Sequence, residues 1–387
     1  MVIKEILNEK KNLLPEGLSD FLFPVAERRL FVKNQLCNNI NFFGYNLIEP
    51  PLVEFEETLM SGLGKVNQKN IFKFIDPQSQ EVLGIRADIT PQVGRIVSTR
   101  LSAYNRPLRI MYRGDVLIIK GNQIKPERQF SQVGYELISD PSIISDTEIL
   151  LIAIDSLSVF GINNISIDIS MPILLSDIFS NFKLQGSELE LLKDILLHRD
   201  IDRIKSFNKE LSTLLTSLIN YSGPVDHAKD ILALKIFSKQ NIKKIKYIFD
   251  FSNIIRDVFP KVNITVDFVE NTDFDYHTGI TFRIYSSITS KELGRGGRYQ
   301  ISLEENKKED ATGFTFFTDY LVDEVNYSSE KPLVYLSRNN NLEIIRSLKD
   351  RGYRLVFSLS DEAPSNDEAK KLGCTHFFHN SEIKECF

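Results

Sequence analysis

Only three cysteines, Cys37, Cys374 and Cys386, occur in 387 residues, and they offer no even, closely set framework for disulfides. That scarcity argues against a cystine-stapled secreted module and fits a reducing compartment, so the cytoplasm is the expected location. Long apolar runs are also missing. The most apolar stretch, Ile149 to Phe160, is broken by Asp155, Ser156 and Ser158 and falls short of the roughly 18 residues a membrane-spanning helix requires. A buried helix accounts for it, and no membrane partner is expected. Residues Met1 to Lys11 mix charge with Ile and Leu, without a continuous apolar segment before a small-residue cleavage site, so no signal peptide is read. Positive charge is not in excess either: 47 Lys and Arg face 52 Asp and Glu, a formal net charge of -5. Chains that wrap nucleic acid concentrate cations, because affinity grows with the phosphates neutralised, and nothing here advertises such a partner.

What is present suits an ordinary globular chain: 42% hydrophobic residues with 19 Gly and 14 Pro supply one large core and smaller attached units. A helix is expected from about Pro24 to Phe43, stopped by Gly44 and followed by a short strand over Tyr45 to Glu49 that Pro50-Pro51 ends. Between Phe72 and Ile138, short β-type runs separated by turn residues (Ile71 to Ile75, Leu108 to Tyr112, Asp115 to Ile119, Gln129 to Leu137) predict an antiparallel sheet. Helical segments at Pro91 to Leu101 and Ile144 to Phe160 interrupt it, which makes the fold class α+β. Leu, Ile and Lys then recur at helical spacing through an expected helical insertion. Strand character returns at Ile264 to Phe268, Gly279 to Tyr285 and Ala311 to Phe317. The division read from these shifts is 1–171 for the first part of the core, 172–260 for the insertion, 261–328 for completion of the core sheet, and 331–387 for a small α/β tail.

Four segments in order resemble the signature motifs of class II aminoacyl-tRNA synthetases, specifically the histidyl-tRNA synthetase type, over about Leu14 to Leu321. Phe43-Gly44-Tyr45-Asn46-Leu47-Ile48-Glu49-Pro50-Pro51-Leu52-Val53-Glu54 is similar to motif 1, through which such cores dimerise. Arg109 to Glu136, ending Arg128-Gln129-Phe130-Ser131-Gln132-Val133-Gly134-Tyr135-Glu136, is similar to motif 2. Asp275-Tyr276-His277-Thr278-Gly279 resembles the histidine-specificity element, and Gly313-Phe314-Thr315-Phe316-Phe317 resembles the start of motif 3. Any one of these strings is weak; their order and spacing together are strong. The resemblance implies an antiparallel class II sheet flanked by helices.

The same resemblance exposes what has been replaced. Adenylation needs preorganised cations around the transferring phosphoryl group, and the family supplies arginines. Laid against the family pattern, Ile118, Thr272 and Tyr320 occupy the three arginine positions. Each lost donor removes ~3 kcal/mol of transition-state stabilisation, so no catalytic residue is assigned and adenylation is expected to be absent. The amino-acid side is better kept: Asp88, Ile89 and Thr90, Gln132 and Glu136, and Tyr276 and His277 match positions that contact histidine in the family. His277 also fits a buried, hydrogen-bonded structural histidine equally well.

Emptied in this way, and carrying Arg86-Ala87-Asp88-Ile89-Thr90-Pro91-Gln92, the chain resembles the synthetase-derived regulatory subunits of ATP phosphoribosyltransferase. That family implies a non-enzymatic regulatory subunit of a glycosyltransferase complex in histidine biosynthesis. It implies a short-form catalytic subunit as partner in a hetero-octamer, a dimer through the motif 1 region, L-histidine as effector, and no tRNA. Histidine is expected either in the old synthetase pocket or at a boundary between subunits. A working histidyl-tRNA synthetase and a stand-alone histidine sensor are the alternatives. No cofactor is called for. Cys374, His376, His379 and Cys386 lack the paired spacing of zinc sites, so no metal is expected. Gly294-Arg295-Gly296-Gly297-Arg298 reads as a tight turn rather than a phosphate loop.

Overall fold

The computed structural model describes residues 13–61, 70–121, 126–270, 277–303, 307–325, 331–338, 340–359, 365–379 and 382–386. Helix α1 (Val25–Phe42) buries Arg29, Val32, Leu36 and Ile40, a three-to-four residue spacing that forms one helical stripe. The chain leaves it at Gly44, whose φ of 84° suits a residue without a side chain. Strands β1 (Asn46–Ile48) and β2 (Val53–Phe55), helix α2 (Glu56–Ser61), and strands β3 (Phe72–Ile75) and β4 (Val82–Ile85) follow; β2, β4 and β3 form a small antiparallel sheet. Helix α3 (Thr90–Thr99) opens with Pro91 in its first turn, where a missing N–H costs nothing.

Strands β5 (Leu108–Leu117) and β6 (Gln129–Ile138) form a long antiparallel hairpin, then α4 (Ile143–Ser158) begins at Ser142, whose side chain accepts from Ser145 N. Its Ile149, Leu150, Ile152, Ala153, Ile154 and Leu157 are all buried, so the longest apolar run of the sequence is an interior helix. Strand β7 (Ile165–Ser170) leads into helices α5 (Pro172–Asn181), α6 (Gly186–Leu197), α7 (Ile201–Ile204) and α8 (Lys209–Tyr221), the two-residue strand β8 (Gly223–Pro224), α9 (Val225–Ala228) and α10 (Lys239–Val258). The chain returns through β9 (Asn263–Asp267), β10 (His277–Ser286), β11 (Glu292–Ser302), β12 (Lys308–Phe317) and α11 (Thr318–Glu324).

These strands make a nine-stranded sheet in the order β1-β5-β6-β12-β11-β10-β7-β9-β8. Its pairs are antiparallel except β1 with β5 and β7 with β9, which are parallel. Two sequence expectations are corrected here. The separate runs Leu108 to Tyr112 and Asp115 to Ile119 are one strand, because β5 pairs with β6 without interruption from Leu108↔Ile138 to Leu117↔Gln129. The glycine-rich Gly294 to Arg298 segment is not a turn but the middle of β11, paired on both sides. A Cβ at Gly296 would lie 2.1 Å from the Gly313 carbonyl oxygen and 2.9 Å from ring atoms of Phe282 and Phe314. Glycine stands there because two aromatic rings cross the strand.

Residues 326–387 form a separate compact unit. It holds β13 (Leu333–Leu336), α12 (Leu342–Asp350), β14 (Arg354–Phe357), α13 (Asn366–Lys371), β15 (His376–His379) and β16 (Glu382–Glu385). The sheet order is β14-β13-β15-β16, with β16 antiparallel to β15; that last strand was not read from the sequence. Among the described residues, no helix is long and apolar enough to cross a membrane.

Candidate functional site

The loop between β4 and α3 is pinned over the large sheet by Arg86, which is 6% exposed. Its Nε donates to the Asp115 carbonyl at 2.8 Å and its Nη1 to the Pro50 carbonyl at 2.9 Å. Arg86 is thereby a structural tie between the loop, β5 and the chain after β1, and the residues following it reach the sheet. Asp88 Oδ1 accepts from Ile89 N at 2.7 Å. Ile89 N also donates to Gln132 Oε1 at 3.3 Å, which joins the loop to β6. The Thr90 Oγ1 lies 3.0 Å from the Tyr112 hydroxyl on β5.

Tyr112 is the hub of what lies below. Its hydroxyl donates to Glu136 Oε1 at 3.3 Å and lies 2.7 Å from Thr315 Oγ1 on β12. The hydroxyl of Tyr299 on β11 donates to the other carboxylate oxygen, Glu136 Oε2, at 3.1 Å. Gln132 and Glu136 stand four apart on β6, hence on one face, and both are nearly fully buried. Four strands and one loop therefore converge on a single carboxyl group.

Burial pushes the Glu136 carboxyl up to about 8, the charge of Asp88 adds to the rise, and the Tyr299 and Tyr112 hydrogen bonds oppose it. Burial also raises Asp88, against the backbone N–H groups of Ile89 and Thr90 and the positive charge of Arg295. Two carboxyls that resist ionisation in one low-dielectric site favour a cationic ligand, since a bound positive charge offsets the cost of charging them. Among the described residues, no group of three potential metal ligands is present.

The other sequence-nominated positions divide. His277 opens β10 opposite Tyr299. It is half-buried, its Nδ1 lies 3.3 Å from the Arg298 carbonyl oxygen, and it lines a cleft with Glu270, Thr281, Arg283 and Arg295. Ile118 sits past the end of β5, where its N–H donates to the Arg128 carbonyl at 2.8 Å; it takes no part in the hydrogen bonds around Glu136. Tyr320, on α11, packs edge-on against Phe317 with centroids 6.5 Å apart. Burial pushes its hydroxyl up to about 12, helped by the charges of Glu127 and Glu292, so a neutral phenol occupies that position. The preceding acid, Asp319, pairs with Arg29 of α1 and accepts from Ser131 N at 2.9 Å. Thr272 and Tyr276 lie outside the described residues. Sequence reasoning missed Tyr112, Tyr299, Thr315 and Arg295; the alternation of residues along β5, β11 and β12 was the available signal, but only the strand register brings them together.

The order of strands, the long hairpin and the loop over its glutamate define a synthetase-type core of the histidyl class. The sequence model of the histidyl-tRNA synthetase family matches residues 17–321. Two solved structures share the fold: one from Bacillus halodurans, titled as an ATP phosphoribosyltransferase regulatory subunit/histidyl-tRNA synthetase, has a TM-score of 0.78 at 23% identity, covering 93% of this chain and 96% of that one. Histidyl-tRNA synthetase from Nostoc sp. PCC 7120 has a TM-score of 0.76 at 16% identity, covering 95% and 91%. Among curated relatives, the ATP phosphoribosyltransferase regulatory subunit of Rhodospirillum centenum is 34% identical, covering 96% of each chain. That of Paramagnetospirillum magneticum is 35% identical, covering 94% of this chain and 95% of the relative. The chain belongs to the ATP phosphoribosyltransferase regulatory subunits, a family built on the histidyl-tRNA synthetase core.

Proposed function

We propose that this chain regulates ATP phosphoribosyltransferase in histidine biosynthesis without adenylating an amino acid itself. The observation that carries the reading is a divided site. The amino-acid side retains the buried Glu136, held by Tyr112 and Tyr299, and the raised carboxyl of Asp88 beside it. The phosphate side has Ile118, Thr272 and Tyr320 at the positions where the resemblance calls for arginine. Such a pocket recognises a small cation-bearing amino acid and offers little to a polyphosphate in transfer.

The effector is L-histidine, bound over Glu136, Asp88, Thr90 and Gln132, with His277 at the edge. Histidine binding here influences a short-form catalytic subunit by favouring one state of the assembly over another, which is the thermodynamic requirement for feedback. The chain dimerises through the motif 1 region around Gly44 to Pro51, and dimers join catalytic subunits in a hetero-octamer in the cytoplasm.

The test is reconstitution with a short-form ATP phosphoribosyltransferase catalytic subunit, followed by activity over a histidine titration. The expected result is activity that depends on this chain and falls as histidine rises, with no histidine-dependent ATP–pyrophosphate exchange by the chain alone. Robust exchange, or a catalytic subunit indifferent to the chain, refutes the reading.

A further inference from the structure

The carboxyl end of the pocket has a cationic counterpart two strands away. In strand register, Tyr112 is opposite Gly134 on β6, Gly134 opposite Thr315 on β12, Thr315 opposite Arg295 on β11, and Arg295 opposite Arg283 on β10. Directly opposed residues project from the same face with Cβ atoms ~5 Å apart, so Arg295 shares a face with Thr315, and Thr315 touches Tyr112, which touches Glu136. Glu136 is opposite Gly313 and Gly313 opposite Gly297, so Arg295 stands two strand spacings, ~10 Å, across the sheet from Glu136 and two residues, ~7 Å, along it.

Arg295 is also oriented. Glu292 holds it in a fork, Nε to Oε1 at 2.6 Å and Nη2 to Oε2 at 2.9 Å, and its guanidinium lies 5.4 Å from the Phe317 ring centroid. The side chain is 40% exposed and lines the cleft with His277 and Thr281, so it is anchored at one edge yet open to that cleft. An arginine fixed in this way is suited to a planar carboxylate.

We infer that Arg295 receives the α-carboxylate of the bound amino acid, so that the site selects a molecule with a cation at the Glu136 end and a carboxylate at the β11 end. This rests on the proposed amino-acid pocket and adds the group that distinguishes an amino acid from its decarboxylated amine. A guanidinium beside Phe317, rather than a phosphate-gripping set of arginines, also explains how the emptied site can hold the amino acid without ATP.

The test titrates histidine and histamine, which keeps the imidazole and the amine but lacks the carboxylate, into the full-length chain and its Arg295→Met and Glu136→Gln variants. Circular dichroism and urea unfolding verify that each variant is folded, and Arg295→Lys serves as a second substitution should methionine disturb the strand. The unmodified chain should prefer histidine by roughly 30-fold, the advantage of a charge-assisted carboxylate contact. Arg295→Met should reduce that preference to within about threefold while leaving histamine affinity in place, and Arg295→Lys should fall between. Equal loss of both ligands, or an unchanged preference, overturns the inference. If Glu136→Gln abolishes histidine binding while Arg295→Met does not alter it, the pocket stands and only the carboxylate anchor fails. If neither substitution affects histidine binding, pocket and anchor fail together.

Discussion

Gly313 faces Glu136 across the β12–β6 pair so closely that a Cβ at Gly313 would lie 1.7 Å from the carboxylate Oε2. The space a side chain would fill is the space in which the carboxylate lies to meet Tyr112 and Tyr299. Gly313→Ala is therefore expected to displace Glu136, to weaken histidine binding at least tenfold, and to destabilise the fold by ~1–3 kcal/mol, the usual range for overpacking. Gly94→Ala makes the contrast. On α3 its Cβ would meet only Ile301 atoms at 3.8 and 3.9 Å, an ordinary contact, and an alanine in a helix interior gains ~0.5–1 kcal/mol. Urea unfolding of the two variants together with calorimetric titration of histidine measures both effects.

Glu136 also makes stability depend on pH with a defined sign. Its carboxyl titrates at about 8 in the folded chain against an ordinary value of 4.5, chiefly because it is buried. Below 4.5 both folded and unfolded states hold the proton, so nothing is lost. Between 4.5 and about 8 the unfolded chain has released the proton and the folded chain has not. Stability then falls by up to ~1.4 kcal/mol per pH unit. Above 8 both are ionised and the loss is complete. Glu136→Gln removes this slope: relative to the unmodified chain, the variant should gain stability steadily from pH 5 to pH 8. Urea midpoints at four or five pH values across that range decide it, and parallel curves would contradict the assignment.

A second buried carboxylate has a cation beside it. Asp146 on α4 is fully buried and pairs with Arg298 Nη2 at 2.9 Å, while the Tyr247 hydroxyl of α10 donates to it at 2.5 Å. Arg298 further donates to the carbonyls of Asp140 and Ser142 at 2.8 and 2.9 Å, so one guanidinium joins β11 to the start of α4. Arg298→Met leaves the Asp146 charge buried without its cation and should cost ~3–5 kcal/mol. The double variant Arg298→Met with Asp146→Leu, which removes both charges, should recover most of that loss. Chemical unfolding of the two variants distinguishes a desolvation penalty, which the second substitution relieves, from lost packing, which it does not.

Much of this architecture is legible locally. The stripe Val32, Leu36 and Ile40 with Gly44 beyond it announces α1, and the fourfold spacing of Gln132 and Glu136 places both on one face of a strand. The network around Glu136, in which Tyr112 and Tyr299 bond the carboxylate and Thr315 bonds Tyr112, is a different kind of information. Tyr112, Thr315 and Tyr299 come from three strands separated by up to 203 positions in sequence, and only the register of long-range pairing decides that their hydroxyls meet. Local reasoning also fails where a residue serves a distant neighbour. Glycine is depleted in strands, so Gly294 to Gly297 reads as a turn until the rings that need its space are known.

Those rings supply the last expectation. Phe282 and Phe314 stack with centroids 6.0 Å apart and planes within 10°, both are buried, and Phe282 stacks in turn on Phe251 of α10 at 5.9 Å. The aromatic column thus runs from β12 through β10 to α10, and Gly296 lies between the first two strands with no room for a Cβ. Gly296→Val has favourable strand propensity, and a turn-like role and a packing role predict different responses to it relative to Gly296→Ala. If backbone freedom were the issue, both substitutions would be similarly harmful. If space is the issue, harm should grow with volume: ~1–3 kcal/mol for alanine and more for valine. Leu293→Val on the same strand, a volume reduction at a fully buried position, should cost less than Gly296→Val. Urea unfolding of the three variants tests that ranking, and a Gly296→Val protein as stable as Gly296→Ala would show that the column can yield.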